Sequence, residues 1–76
     1  MKTISFAHLE DFEFFTADVL AELLGVSEST VYRRAGTLRQ RGQLHDKRCT
    51  WTPDQARHIS EFIVDSGYLK GKVRIT

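Results

Sequence analysis

Hydrophobic positions along the chain change their spacing at a few points, and those points divide it into elements. From Ala17 to Leu24, the leucines at 20, 23 and 24 fall on one stripe, because residues three and four apart share a helix face. Thr16 stands where an N-cap is wanted, and Gly25 follows the last leucine, where a left-handed residue ends a helix at least cost. A second helix is expected from Glu28, with Ser27 as its cap and Glu28 beside its positive end. Within it Val31, Ala35 and Leu38 recur at i, i+4 and i+7. Ser29, Arg33, Gly36, Thr37 and Gln40 occupy the opposite side, with Tyr32 and Arg34 on the flanks. The helix is expected to fray near Gln40 to Arg41, because Gly42 is a natural stop.

Beyond Gly42 the stretch "GQLHDKRCTW", residues 42–51, alternates loosely and reads as two very short strands around a turn at His45-Asp46-Lys47. "TPDQ" is a strong helix start: Thr52 as cap, Pro53 at the first helical position, and Gln55 reaching back in a capping box. The helix it opens is expected to run to Asp65 or Ser66 and to end at Gly67, with Ala56, Ile59, Phe62 and Ile63 inward and Arg57, Glu61 and Asp65 outward. Trp51 is expected in the core, as a lid between the strand pair and the helices. "KTISF" and "KVRIT" at the two ends alternate like strands and could pair, whereas "FAHLEDFEFF" fits either a helix or an extended run. The segment "EDFEFF" reads as an edge element that buries Phe12, Phe14 and Phe15 beneath its acids; an acidic, aromatic surface for a partner protein is the alternative.

The bulk numbers add limits. A chain of 76 residues holds one domain, 1–76, with a modest core. Hydrophobic content of 41% and charged content of 28% exclude disorder along the whole length. A single cysteine, Cys49, rules out an internal disulfide. No apolar run reaches the roughly 18 residues of a membrane span, and "MKTISFAHLED" lacks a signal-peptide profile, so a soluble, cytoplasmic chain is expected, with no membrane contact. Net charge is only +1, but it is unevenly placed. Residues 1–31 carry one base against six acids, and residues 32–76 carry ten bases against four. Such a dipole attracts phosphate at its positive end although the total is near zero.

Two helices joined by a tight turn, the second loaded with arginine, suit the major groove of duplex DNA. One helix lies in the groove while the other crosses it. The arrangement needs a sharp turn, small residues at the crossing and apolar anchors on both inner faces. Gly25, Ala21, and the set Leu20, Leu24, Val26 and Val31 meet those needs. Ser29 and Arg33 lie on one outward line, from which an arginine can donate two hydrogen bonds to a guanine edge. Gly36 removes a side chain from the same face and leaves room for the duplex backbone. His45, Cys49 and His58 are spaced H-x3-C-x8-H without a fourth ligand, so no structural zinc site is expected. Nothing orients a histidine as base toward Cys49 either, and no enzymatic role or cofactor is expected.

"FTADVLAELLGVSESTVYRR" resembles the helix-turn-helix of MerR-type regulators and phage excisionases, often written T-x-x-E-V-A-x-L-L-G-V-S-x-x-T-V. "LRQRGQL…KRCTWTPDQARHISEFI" resembles their short wing and the threonine-initiated helix after it, so the likeness spans about residues 14–66. It implies a mostly α winged helix-turn-helix with a small β component: helix-turn-helix at about 16–40, wing at about 42–51 and third helix at about 53–66. It also implies base-facing roles for Ser27, Ser29, Tyr32 and Arg33, and phosphate or minor-groove contact for Lys47 and Arg48. The candidate DNA contacts are thus Ser27, Ser29, Thr30, Tyr32, Arg33, Arg34, Thr37, Gln40, Arg41, Lys47 and Arg48, with Arg39 a further phosphate ligand.

Two departures stand out. Arg34 occupies a position that is usually apolar, so it either lies along the core edge and reaches a phosphate or marks a slight rotation of the helix. The long C-terminal helix used for dimerisation and effector sensing is missing, so no small-molecule effector is implied. The expected function is sequence-specific binding of double-stranded DNA, as a small transcriptional regulator of repressor type. A recombination directionality factor, or a DNA binder like the small terminase subunits of phages, would use the same chemistry. A protein-interaction adaptor is the rival from another class. One module covers a short stretch of duplex, so a homodimer or side-by-side binding is expected.

Overall fold

The computed structural model describes residues 2–6, 9, 12–39, 42–45, 48–67 and 69–76. Among the described residues, three helices and five strands follow the order β1 (Lys2–Ile4), β2 (Phe15–Thr16), α1 (Ala17–Leu24), α2 (Glu28–Thr37), β3 (Gln43–His45), β4 (Arg48–Trp51), α3 (Pro53–Ser66) and β5 (Val73–Ile75). The fold is mostly α with a small β component. Its strands form two separate groups: β1 and β5 pair in parallel, and β2, β4 and β3 form an antiparallel sheet in that order. The two chain ends do pair, through Lys2↔Val73, Thr3↔Arg74 and Ile4↔Ile75. Lys2 Nζ also donates to the Leu23 carbonyl at the end of α1, at 2.6 Å.

Local chemistry accounts for most of the boundaries. Thr52 accepts from the Gln55 N–H at 3.3 Å while the Gln55 side chain accepts from the Thr52 N–H at 3.0 Å, so the capping box is complete. Thr16 takes the N-cap conformation of α1, but its hydroxyl donates to the Asp18 carboxylate rather than accepting from the backbone. Among its described residues the run "FAHLEDFEFF" holds a 3-10 turn at Phe6, whose carbonyl accepts from the Leu9 N–H at 3.2 Å, but no α-helix and no long strand; of these residues Phe15 alone joins a sheet, opposite Trp51.

The core gathers Phe15, Leu20, Val31, Trp51 and Ile59, all essentially buried, with Ala17, Ala21, Leu24, Ala35, Ala56 and Ile63 filling between the helices. Trp51 sits where the three-stranded sheet meets α3, as expected of a lid. Three expectations need correction. First, α2 stops at Thr37, three residues short of Gln40: Arg39 turns into the left-handed region at φ 57°, and its N–H bonds the Gly36 carbonyl at 3.0 Å, closing the last turn early. Second, the inward face of α3 is Ala56, Ile59, Ser60, Ile63 and Val64; Phe62 is only half-buried, as are Arg57 and Glu61. The stripe is rotated because α3 packs on β5 as well as α2. Third, Phe12 and Phe14 are not buried under the acids but stand 39% and 41% exposed, with Phe15 alone inside.

Candidate nucleic-acid interface

The turn between α1 and α2 sets the direction of the second helix. Gly25 adopts φ 73°, a conformation costly for any residue with a Cβ, and its N–H bonds the Ala21 carbonyl at 2.8 Å. The Val26 N–H shares that carbonyl at 3.0 Å, which closes the end of α1 and swings the chain sharply. Ser27 then opens α2: its Oγ accepts from the Thr30 N–H at 3.2 Å and lies 2.9 Å from the Thr30 hydroxyl. Val31 and Ala35 press inward against α1 and α3. With that face fixed, the opposite face has one direction left, toward solvent.

Ser29, Tyr32, Arg33 and Gly36 are all exposed, and their spacing of three, four and seven residues puts them on one face. Tyr32 is 48% exposed, yet its ring lies 5.8 Å from the buried Trp51 ring at 55°. The phenol is thereby anchored at one side and presented at the other. A Cβ built on Gly36 would meet nothing within 4 Å, so no part of this chain requires a glycine there. Thr37 is exposed, but its hydroxyl donates to the Arg33 carbonyl at 3.1 Å and keeps only acceptor capacity for a ligand.

Arg34 takes the core-edge position of its two readings. It is half-buried, with its guanidinium carbon 5.8 Å from the centre of the Phe62 ring on α3. That distance gives a cation–π contact. Spacing within α2 could not show this, because the aromatic platform comes from another helix. Arg33, Arg34, Ser27 and Thr30 rim a groove of about 330 Å³ whose apolar lining comes from Val26, Ile63 and Leu69. Ser27 is exposed and Thr30 half-buried. This groove was not visible to sequence reasoning, since Ile63 and Leu69 reach it only through the packing of α3 and the loop after it.

Beside the helix pair, β3 and β4 form a hairpin in the register Gln43↔Thr50, Leu44↔Cys49 and His45↔Arg48. His45, expected in the turn, is instead the last residue of β3 and pairs with Arg48. Gln40, Arg41 and Lys47 lie outside the described residues, as does Asp46. Arg39 is exposed directly after α2. Gly42 starts the hairpin in close quarters: a Cβ there would overlap the Cys49 thiol and the Thr50 backbone. Among the described residues, no three His, Cys, Asp or Glu side chains converge, and no helix is long and apolar enough to cross a membrane.

Compared with known proteins, the chain matches no family model, no curated protein and no solved structure. Its functional reading therefore rests on the residues and geometry above.

Proposed function

We propose that this chain is a sequence-specific double-stranded DNA-binding protein of the winged helix-turn-helix kind, acting as a small transcriptional regulator of repressor type. In this reading α1 and α2 are the helix-turn-helix, the β3–β4 hairpin is the wing, and α3 is the support behind them. The role is binding, not catalysis. The observation that carries the proposal is the open face of α2, where Ser29, Tyr32, Arg33 and Gly36 stand together while Val31 and Ala35 hold the helix from behind.

Arg33 and Ser29 would read base edges, Tyr32 would pack on a thymine methyl or a sugar, and Gly36 would let the helix approach the duplex backbone. Arg39, Arg41, Lys47 and Arg48 would hold phosphates, and Arg34, tethered over Phe62, would reach one from the flank. A good bidentate base contact discriminates by about 1–3 kcal/mol. Phosphate contacts add affinity that is indifferent to sequence and weakens with salt. A recombination directionality factor would use the same surface. The protein-interaction adaptor draws on one observation, the exposed Phe12 and Phe14.

Selection from random duplexes followed by footprinting tests the proposal. A preferred site whose binding weakens steeply with ionic strength is the expected result. Absence of any preferred duplex, together with salt-insensitive binding, would refute it.

A further inference from the structure

Grooves in this surface differ in how their charges are balanced. The larger one, about 530 Å³ between α3 and β5, sets Glu61 and Asp65 against Lys70 and Arg74, so its charges answer one another within the chain. The groove of about 330 Å³ between α2, α3 and the loop after α3 has Arg33 and Arg34, and no acid among the described residues that line it. Neither guanidinium has a hydrogen bond or a carboxylate partner among the described residues; Arg34 has only the Phe62 ring, at 5.8 Å. Adjacent helix residues stand about 100° apart, so the two cations reach the groove from different sides. Ser27 and Thr30 add a donor. Their hydroxyls lie 2.9 Å apart, and Ser27 Oγ also accepts from the Thr30 N–H. Two hydroxyls that share one hydrogen bond leave one O–H free to donate. The floor is apolar: half-buried Val26 with the edges of the buried Ile63 and Leu69.

We infer that this groove binds a small organic acid, and that the bound acid and the duplex exclude each other. The carboxylate accepts from Arg33, Arg34 and the free hydroxyl; the fork of donors on a guanidinium matches its two oxygens. The body of the acid lies on Val26, Ile63 and Leu69, with the hydrocarbon stems of the two arginines as side walls. A volume of about 330 Å³ stands near the lower end of small-molecule sites, which run from about 300 to 1,000 Å³. The body is therefore a single ring or a short chain. A duplex phosphate would also satisfy the cations, but it carries nothing to cover the apolar floor. Exposed ion pairs alone contribute little, so removing the body from water supplies much of the affinity.

The site stands by itself, whereas the exclusion rests on the duplex-binding proposal above. In that proposal Arg33 meets base edges and Arg34 a phosphate, and a carboxylate that holds both in the groove withdraws them from the duplex. A ligand that binds only the free chain weakens duplex binding by one plus the ratio of its concentration to its Kd, about tenfold at ten times Kd. The acid is thus a releasing signal received by α2 itself.

Titration of the full chain without DNA tests the site. Phenylacetate and hexanoate, followed by proton–nitrogen NMR correlation spectra, should shift the amides of Val26, Thr30, Ile63 and Leu69. For an acid of about ten non-hydrogen atoms the Kd should be on the order of 1 mM. Phenylacetamide, the neutral counterpart, and inorganic phosphate, an anion without a body, should bind about tenfold more weakly. Arg33→Gln and Arg34→Gln should each weaken phenylacetate about three- to fivefold and leave phenylacetamide unchanged, with circular dichroism showing that the variants remain folded. Phenylacetate at ten times its Kd should then weaken binding to a duplex selected from random sequence about tenfold, relative to sodium acetate at equal ionic strength. The inference falls if neither acid moves these amides, if phosphate binds as tightly as phenylacetate, or if the arginine variants bind it undiminished. A chain saturated with phenylacetate that binds the selected duplex unchanged overturns the exclusion. Failure to select any duplex would sink the duplex-binding proposal and the exclusion with it, while the titration still decides the site.

Discussion

Replacing Gly36 with alanine should move stability and DNA binding in opposite directions. Gly36 lies in the last turn of α2, and a methyl group added there meets no described atom within 4 Å beyond its neighbours and the backbone of its own helix. Its φ is not in the left-handed range, so alanine fits the existing backbone. Glycine inside a helix carries a conformational cost of about 0.5–1 kcal/mol relative to alanine. Gly36→Ala should stabilise the fold by that amount, raising the melting midpoint by about 2–8 °C for a domain this small. The same methyl would intrude where the duplex backbone approaches. Forcing an extra carbon into a close contact costs about 1–3 kcal/mol, a loss of roughly five- to 150-fold in affinity for the selected site. Thermal melting followed by far-UV circular dichroism reads the first effect, and fluorescence anisotropy on a labelled duplex reads the second. A variant that melts higher and binds unchanged would refute close approach at this position, and with it the docking pose. A variant that melts lower would show that the fold itself needs the glycine. Gly42→Ala supplies the contrast: its Cβ overlaps Cys49 and the Thr50 backbone, so it should lose about 1–3 kcal/mol of stability.

Other changes separate neighbouring roles. Arg33→Ala should relax base preference at one position of the selected site, while Lys47→Ala should weaken all duplexes alike and flatten the salt dependence by about one phosphate's worth, a slope change near 0.9; competition binding across salt concentrations distinguishes them. Arg34→Ala should instead lower stability by about 0.5–1 kcal/mol through loss of its contact with the Phe62 ring, measured by urea unfolding, with base preference retained. Thr52→Ala removes one half of the capping box on α3 and should cost about 1 kcal/mol in the same assay. Ser60 is fully buried, and its hydroxyl has no hydrogen-bond partner among the described residues. Ser60→Ala should therefore raise stability by about 1 kcal/mol, and a lower unfolding midpoint would mean that the hydroxyl does have a partner.

Sequence alone was enough wherever the determining physics is local. Ser27 and Thr52 cap their helices through atoms three residues away, Gly25 turns because it lacks a Cβ, and the i, i+4 spacing of Val31 and Ala35 turns Ser29 and Arg33 outward whatever the helix packs against. The extents of the α1–α2 turn and of α3 could be read from such short-range rules, as could the pairing tendency of the two ends; the hairpin could be read only in part, since His45, expected in its turn, lies in β3. What lay out of reach depends on neighbours distant in the chain. Arg34 rests on Phe62, twenty-eight positions further along, and Tyr32 leans on Trp51; neither platform leaves a mark in the spacing around the residue it supports. The inward face of α3 turned toward Ser60 and Val64 because β5 comes back to cover it. Phe12 and Phe14 stayed outside because the core closes over Phe15 alone. Short-range hydrogen bonds and steric limits on single residues belong to the chain itself. Which apolar residue finds a partner is set by packing that forms only when remote segments meet.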